Sequence, residues 1–98
     1  MLVRVHEAYR KIIAICDSNL LGKKFEQGNM QIDVKESFYG GKEMQEKKIL
    51  KIIEEAKKED ACFNFVGKDS VGVAIKAGIV SENSILMIAG IPHALSLL

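Results

Sequence analysis

Hydrophobic and polar positions follow two different periods along the chain, and each period predicts a type of element. Residues 2–6 are predicted to form a short strand and residues 11–16 a second one, with residues 7–10 as the turn of a β-hairpin. The run 11–16 is almost wholly apolar, as in a central strand covered on both faces. Residues 30–34 alternate apolar and polar side chains, and the run at 61–66 is again apolar, so both are predicted to be strands.

The helical period is strongest between residues 42 and 60. Its apolar side chains stand at i, i+3, i+4 and i+7: Ile49, Ile52, Ile53 and Ala56. This stripe predicts a helix that begins at Lys42 and has a solvated outer face of mixed charge. A shorter helix is predicted over residues 71–77, after a turn and N-cap at 67–70 and before Gly78 at the C′ position.

The order of these elements predicts the fold class. Residues 85–90 form a last apolar strand, which Pro92 is expected to end. Strands, helix, strand, helix and strand therefore follow one another within a single domain, residues 1–98. We predict an α+β two-layer sandwich: a mixed β-sheet with two helices packed on one face.

Charge excludes some classes of protein. The 98 residues carry 14 Lys and Arg against 13 Asp and Glu, a net charge of +1. A dedicated non-specific nucleic-acid binder would carry a clear basic excess, whereas specific RNA binding through a small patch is compatible with this balance. Residues 61–98 contain only four Asp, Glu, Lys or Arg, which predicts an apolar core, a homodimer interface or both.

The same composition bears on location. No stretch approaches the roughly 20 apolar residues of a membrane span, so no membrane association is predicted. The first residues lack the apolar segment of a signal peptide. Cys16 and Cys62 both lie in apolar runs, and we therefore predict reduced, buried thiols in a cytoplasmic protein.

Three Gly-Lys pairs, at 22–23, 41–42 and 67–68, are candidates for anion binding. The last two precede predicted helices, where free N–H groups and the helix dipole attract phosphate. Neither belongs to a Walker A loop, and no GxGxxG follows a strand, so no cofactor is predicted. Structural turns are the simpler interpretation of all three pairs.

The segment Phe38-Tyr39-Gly40-Gly41 lies at the predicted junction between a strand and the long helix. In this position Tyr39 could stack on a base, with the glycines allowing close approach. The simpler interpretation is that Phe38 and Tyr39 plug the end of the sheet, with the tyrosine hydroxyl in water.

Cysteine and histidine side chains are the remaining candidates for chemistry. Cys16 adjoins Asp17, yet adjacent strand residues point to opposite faces, so the two are not expected to act together. A Cys16–His93 dyad stays open beside the simpler interpretation of a buried core cysteine. His93, predicted to lie past a strand end, suits ligand contact and backbone capping equally. No CxxC or HxxxH spacing joins His6, Cys16, Cys62 and His93, so no metal site is predicted.

Four stretches in this order resemble a known family: AICDSNLLGKKFEQG, ESFYGG, FNFVGKDSVGVAIKAGIV and GIPHA. They are similar to an uncharacterised family of small archaeal proteins, domain of unknown function 424, over nearly the whole chain. The resemblance implies a single-domain, cytoplasmic α+β protein with no established activity or cofactor, loosely associated with archaeal translation genes. Relatives tend to carry glutamine after Pro-His-Ala, where this chain has Leu95, so the tail 95–98 is expected to serve association instead. The matching positions with chemical potential are Asp17, Lys23, Tyr39, Gly41, Asn64, Gly67 and His93.

Three functional hypotheses follow from these residues. The first is a non-enzymatic binding module in an RNA- or translation-related assembly, whose surface gathers the turns 22–24, 39–41 and 64–68 at one end of the sheet. The second is a small enzyme or metabolite binder that uses Cys16, Asp17 and His93 in one pocket. The third is a self-associating structural protein, and a homodimer through the apolar C-terminal third is compatible with either of the others.

Overall fold

The computed structural model describes residues 1–97 and consists of short strands interrupted by three α-helices. The elements in chain order are β1 (Leu2–His6), β2 (Ile12–Cys16), β3 (Lys24–Gln27), β4 (Met30–Asp33), α1 (Glu36–Tyr39), β5 (Lys42–Glu43), α2 (Glu46–Lys57), β6 (Cys62–Val66), α3 (Lys68–Lys76), β7 (Leu86–Ile88) and β8 (Ile91–Leu97).

A mixed sheet of six strands, in the order β5-β1-β2-β6-β8-β7, forms the centre of the molecule. Strands β2 and β6 are parallel, and every other neighbouring pair is antiparallel. The predicted hairpin of the first two strands is confirmed, with Leu2 opposite Cys16 and His6 opposite Ile12.

One face of this sheet, which we call the helix face, carries α2 and α3. Ile49 and Ile53 of α2 and Val73 of α3 are buried there against Ile13, Phe63 and other strand residues. The apolar stripe of α2 therefore lies where the helical period predicted it. The predicted α+β architecture, a mixed sheet with two helices on one face, is confirmed.

The opposite face, which we call the hairpin face, has a partial cover that the pattern did not predict. The separate two-stranded sheet of β3 and β4, together with α1, packs a second apolar cluster onto it. Ile32, Val34 and Tyr39 contribute from the cover, and Cys16 and Val66 from the large sheet. This explains why β2 is apolar on both faces.

The predicted boundaries at Lys42 and at Pro92 are wrong. The long helix begins at Glu46 rather than Lys42, because Lys42 and Glu43 pair with β1 as a short edge strand. Pro92 does not end the last strand but lies inside β8. A proline is tolerated there because Gly67 donates its N–H to the carbonyl of Pro92, at 2.9 Å, while the Gly67 carbonyl accepts from Val71 instead.

Within residues 1–97, no helix is long and apolar enough to cross a membrane.

Candidate functional site

The loop after β2 places the carboxylate of Asp17 against the N-terminus of α3. Asp17 Oδ1 accepts hydrogen bonds from the Ser70 backbone N–H and the Ser70 hydroxyl, both at 2.8 Å, and Oδ2 accepts from the Asp69 N–H at 3.1 Å. Asp17 is only 9% exposed and Ser70 is fully buried. The carboxylate thus satisfies the N2 and N3 amides, as an N-cap side chain does, although it lies about fifty residues away in sequence.

Gly67 is the N-cap residue of α3 and makes room for this contact. Its φ is +109°, a backbone conformation that residues with a Cβ rarely adopt. A Cβ built on Gly67 would overlap the carboxylate of Asp17. Gly67 is therefore required both by its backbone angle and by the approach of Asp17.

The N-terminus of α3 is consequently an anion site that the protein fills with its own carboxylate. The helix begins at Lys68, so the predicted start at residue 71 with its cap at 67–70 is wrong in detail. Ser70 lies in the first turn and supports Asp17, a role that no local pattern indicated. Because Asp17 already occupies the free amides, the pair Gly67-Lys68 serves as a structural turn rather than a phosphate cradle.

Cys16 is fully buried at the end of β2. Burial, together with the negative charge of Asp17, raises the pKa of its thiol to about 11, so the thiol is protonated at neutral pH. In the sheet register Val66 lies opposite both Cys16 and His93, so β6 separates the two side chains by two strand spacings, roughly 10 Å. Burial lowers the pKa of His93, which favours the neutral imidazole.

His93 was predicted to lie past a strand end, and Asn64 to lie in a turn. The first prediction is wrong, because His93 lies within β8. Asn64 lies in the middle of β6, inside the strand predicted at 61–66, so only its grouping with the turn 64–68 is wrong. Both side chains are half-buried. Asn64 is opposite Ala14 and Leu95 on the hairpin face, so it is set back from the strand ends where the other candidates gather.

Phe38 and Tyr39 belong to α1, a single helical turn between β4 and β5. Tyr39 is only 5% exposed and packs in the second apolar cluster, and its burial raises the pKa of the hydroxyl. Phe38 stacks on His6 with ring centroids 4.7 Å apart, while His6 Nε2 donates to the Phe38 carbonyl at 2.8 Å. Tyr39 therefore acts as a plug whose ring is covered by the second apolar cluster.

The two glycines that follow bring backbone segments close together. A Cβ on Gly41 would overlap the carbonyl oxygen of Val3 in β1, and one on Gly40 would overlap Glu36. Arg4 Nη1 donates to the Gly40 carbonyl at 2.8 Å. Gly41 thus lets the chain lie directly against β1. The prediction that Gly41 precedes a helix is wrong, because the short strand β5 follows it.

Most of the seven candidates do gather at one end of the large sheet, where β2 and β6 end. Asp17 and Gly67 touch each other there, His93 pairs with Val66, and Gly41 lies against Val3. Lys23 is exposed in the loop after β2, and its carbonyl accepts from the Val34 N–H at 2.9 Å. These candidates are thus neighbours in the fold. The side chains of Asp17 and Tyr39, like that of the adjacent Cys16, are buried.

A metal centre has no support among residues 1–97. In this part of the chain no three side chains of His, Cys, Asp or Glu lie close enough together to hold an ion.

Comparisons with known proteins agree with this fold. A family model described as "Protein of unknown function (DUF424)" matches residues 5–97. The crystal structure of an uncharacterized conserved protein from Methanopyrus kandleri is similar to this chain, with 29% sequence identity and a TM-score of 0.85. The alignment covers 96% of this chain and 87% of that one. A comparison with curated proteins gave no match.

Proposed function

The chain belongs to the DUF424 family of proteins of unknown function, and we propose that it is a non-enzymatic binding module that contacts RNA. The contact would serve an RNA- or translation-related assembly. The observation that carries the proposal is a set of lysines, at one end of the sheet, that lack acidic partners among the described residues.

These lysines surround the ends of β2 and β6. All five are exposed, and none forms an ion pair with another described residue: Lys23, Lys24, Lys35, Lys42 and Lys68. By contrast, the other end of the molecule has Lys11, Lys57 and Lys58 paired with glutamates. Exposed cations that form no ion pair suit contacts with phosphate oxygens.

Two acids at the same end are engaged internally and do not neutralise these lysines. Asp17 is held by the N-terminus of α3. Glu43 accepts a hydrogen bond from the Ser18 hydroxyl at 2.6 Å. A net charge of +1 for the whole chain is compatible with contacts between these lysines and a polyanion.

The enzymatic alternative has less support from the geometry. Cys16 is buried with a raised pKa, Asp17 is hydrogen-bonded to α3, and His93 lies beyond Val66. A nucleophile and its base should lie within hydrogen-bonding distance of each other and of a substrate. Metabolite binding by these three residues would require the end of the sheet to open.

Filter binding of total cellular RNA over a salt series tests the proposal. The double variant Lys23→Ala/Lys68→Ala should bind more weakly, and the slope of log affinity against log salt should fall by about 0.7 for each phosphate that the variant no longer neutralises. The double variant Lys58→Ala/Lys76→Ala is the matched control, because it removes the same charge from lysines that are already paired. Undetectable wild-type binding at low salt, or an equal decrease in both variants, would contradict the proposal.

We also propose a cytoplasmic location. Cys16 and Cys62 are both free thiols, which is typical of reducing compartments. Cys62 is half-buried, however, rather than fully buried as predicted.

A further inference from the structure

A groove on the helix face lies between α2 and the first two strands. Its volume is about 340 Å³, within the range of small-molecule sites. Apolar side chains from both elements form its floor: Val5, Ile13, Ile52 and Ala56. Val5 is 44% exposed, an unusual position for an apolar residue that faces a helix across a sheet.

The groove lies beside the buried stripe of α2. Ile49 and Ile53 are fully buried there, whereas Ile52 on the flank of the same helix is only half-buried. Val5, near the end of β1, and Ile52 therefore line a common space.

Charges at the rim of the groove are not balanced. Glu59 forms an ion pair with Lys11 at 3.0 Å, and Glu55 pairs with Lys58 at 3.5 Å. Lys48 and Lys51, which also line the groove, form no ion pair with any residue in 1–97. They stand three residues apart and hence on the same side of α2. The unmatched groups of the rim are thus two cations.

We propose that this groove binds a small amphipathic carboxylate, an unbranched acyl chain of medium length. The chain would lie on the apolar floor, and the carboxylate would contact Lys48 and Lys51. At about 30 Å³ for each water-sized group, the volume holds roughly eleven non-hydrogen atoms, which is enough for octanoate. A zwitterion fits less well, because the acids of the rim already have cationic partners.

This site is separate from the RNA surface. The groove lies beside α2 on the helix face, whereas Lys23 lies in the loop after β2 and Lys68 is the first residue of α3. Either proposal can therefore fail without the other.

Titration of the ¹⁵N-labelled protein with sodium octanoate, below its micelle concentration, tests the inference. We expect saturable amide shifts centred on Val5 and Ile52. The variant Lys48→Ala/Lys51→Ala should bind roughly tenfold more weakly, since two surface cations are removed. Val5→Gln should also weaken binding by placing an amide on the apolar floor. Both changes are at exposed positions, and circular dichroism checks that each variant is folded.

The controls separate charge from apolar contact. Lys23→Ala/Lys68→Ala should bind octanoate as the wild type does. Octylamine and 1-octanol, which share the chain but not the anion, should bind more weakly than octanoate. Absence of saturable shifts at the groove, or equal affinity for octanoate and octylamine, would overturn the proposal.

Discussion

At the residue scale, the Asp17 carboxylate stabilises the fold by capping the N-terminus of α3. Replacement by alanine should lower the free energy of unfolding by about 2 kcal/mol, because α3 loses its cap and the buried Ser70 hydroxyl loses its acceptor. Urea denaturation measures this difference. Asp69→Ala is the matched control: Asp69 is exposed in the same helical turn and contributes only through the helix dipole, about 0.5 kcal/mol. An equal decrease in the two variants would contradict the capping role.

The two cysteines should differ in reactivity at the same scale. Cys16 is fully buried and the pKa of its thiol is about 11, so at pH 8 it should be alkylated far more slowly than the half-buried Cys62. Iodoacetamide labelling followed by peptide mass spectrometry measures both rates. In urea the two rates should converge. Fast labelling of Cys16 in the native protein would show that the end of the sheet opens, and would revive the enzymatic hypothesis.

At the scale of elements, the contact between β5 and β1 depends on Gly41. Alanine at this position would overlap the Val3 carbonyl, so Gly41→Ala should destabilise the protein by about 1–3 kcal/mol. Gly72→Ala is the opposite case, because Gly72 is exposed within α3 and has open space around it. That variant should gain about 0.5–1 kcal/mol from helix propensity. Thermal denaturation of both variants gives the comparison, and a neutral Gly41→Ala would contradict the close packing.

The elements themselves were largely predictable. The apolar stripe of α2 and the two halves of the first hairpin are strong periodic signals, and both were located correctly. The start of α2 was not, since Lys42 and Glu43 have a helical composition but are drawn into the sheet by pairing with β1. A local preference of a few tenths of a kcal/mol is easily overridden by a tertiary contact.

At the scale of the whole molecule, self-association through the C-terminal third remains a prediction. Leu86 and Leu95 are 51% and 57% exposed, and the register puts them on the hairpin face. The predicted contribution of the tail 95–98 lies partly outside the described residues. We expect a dimer by light scattering at high concentration, and Leu95→Glu should shift it to monomer. Tyr9→Ser, a change at a fully exposed turn residue, is the control, and a monomeric wild type would contradict the prediction.

The order of strands in the sheet decided which candidate residues meet. Strands β2 and β6 are parallel neighbours, so the residues that follow them, Asp17 and Gly67, lie at the same end of the sheet and touch. The sequence analysis predicted that Asp17, Gly67, Tyr39 and His93 would be available to a ligand. In the fold, three of these four are buried or turned inward, and His93 is half-buried.

Periodicity in the chain was sufficient for the α+β class, the two helices and most strands, since the spacing of apolar residues reports which side of each element faces the core. It was not sufficient for the cap on α3, the cover on the hairpin face or the groove beside α2. These depend on contacts between residues dozens of positions apart, such as Asp17 and Ser70. Such contacts follow from how the elements pack, and neither propensity nor local spacing carries that information.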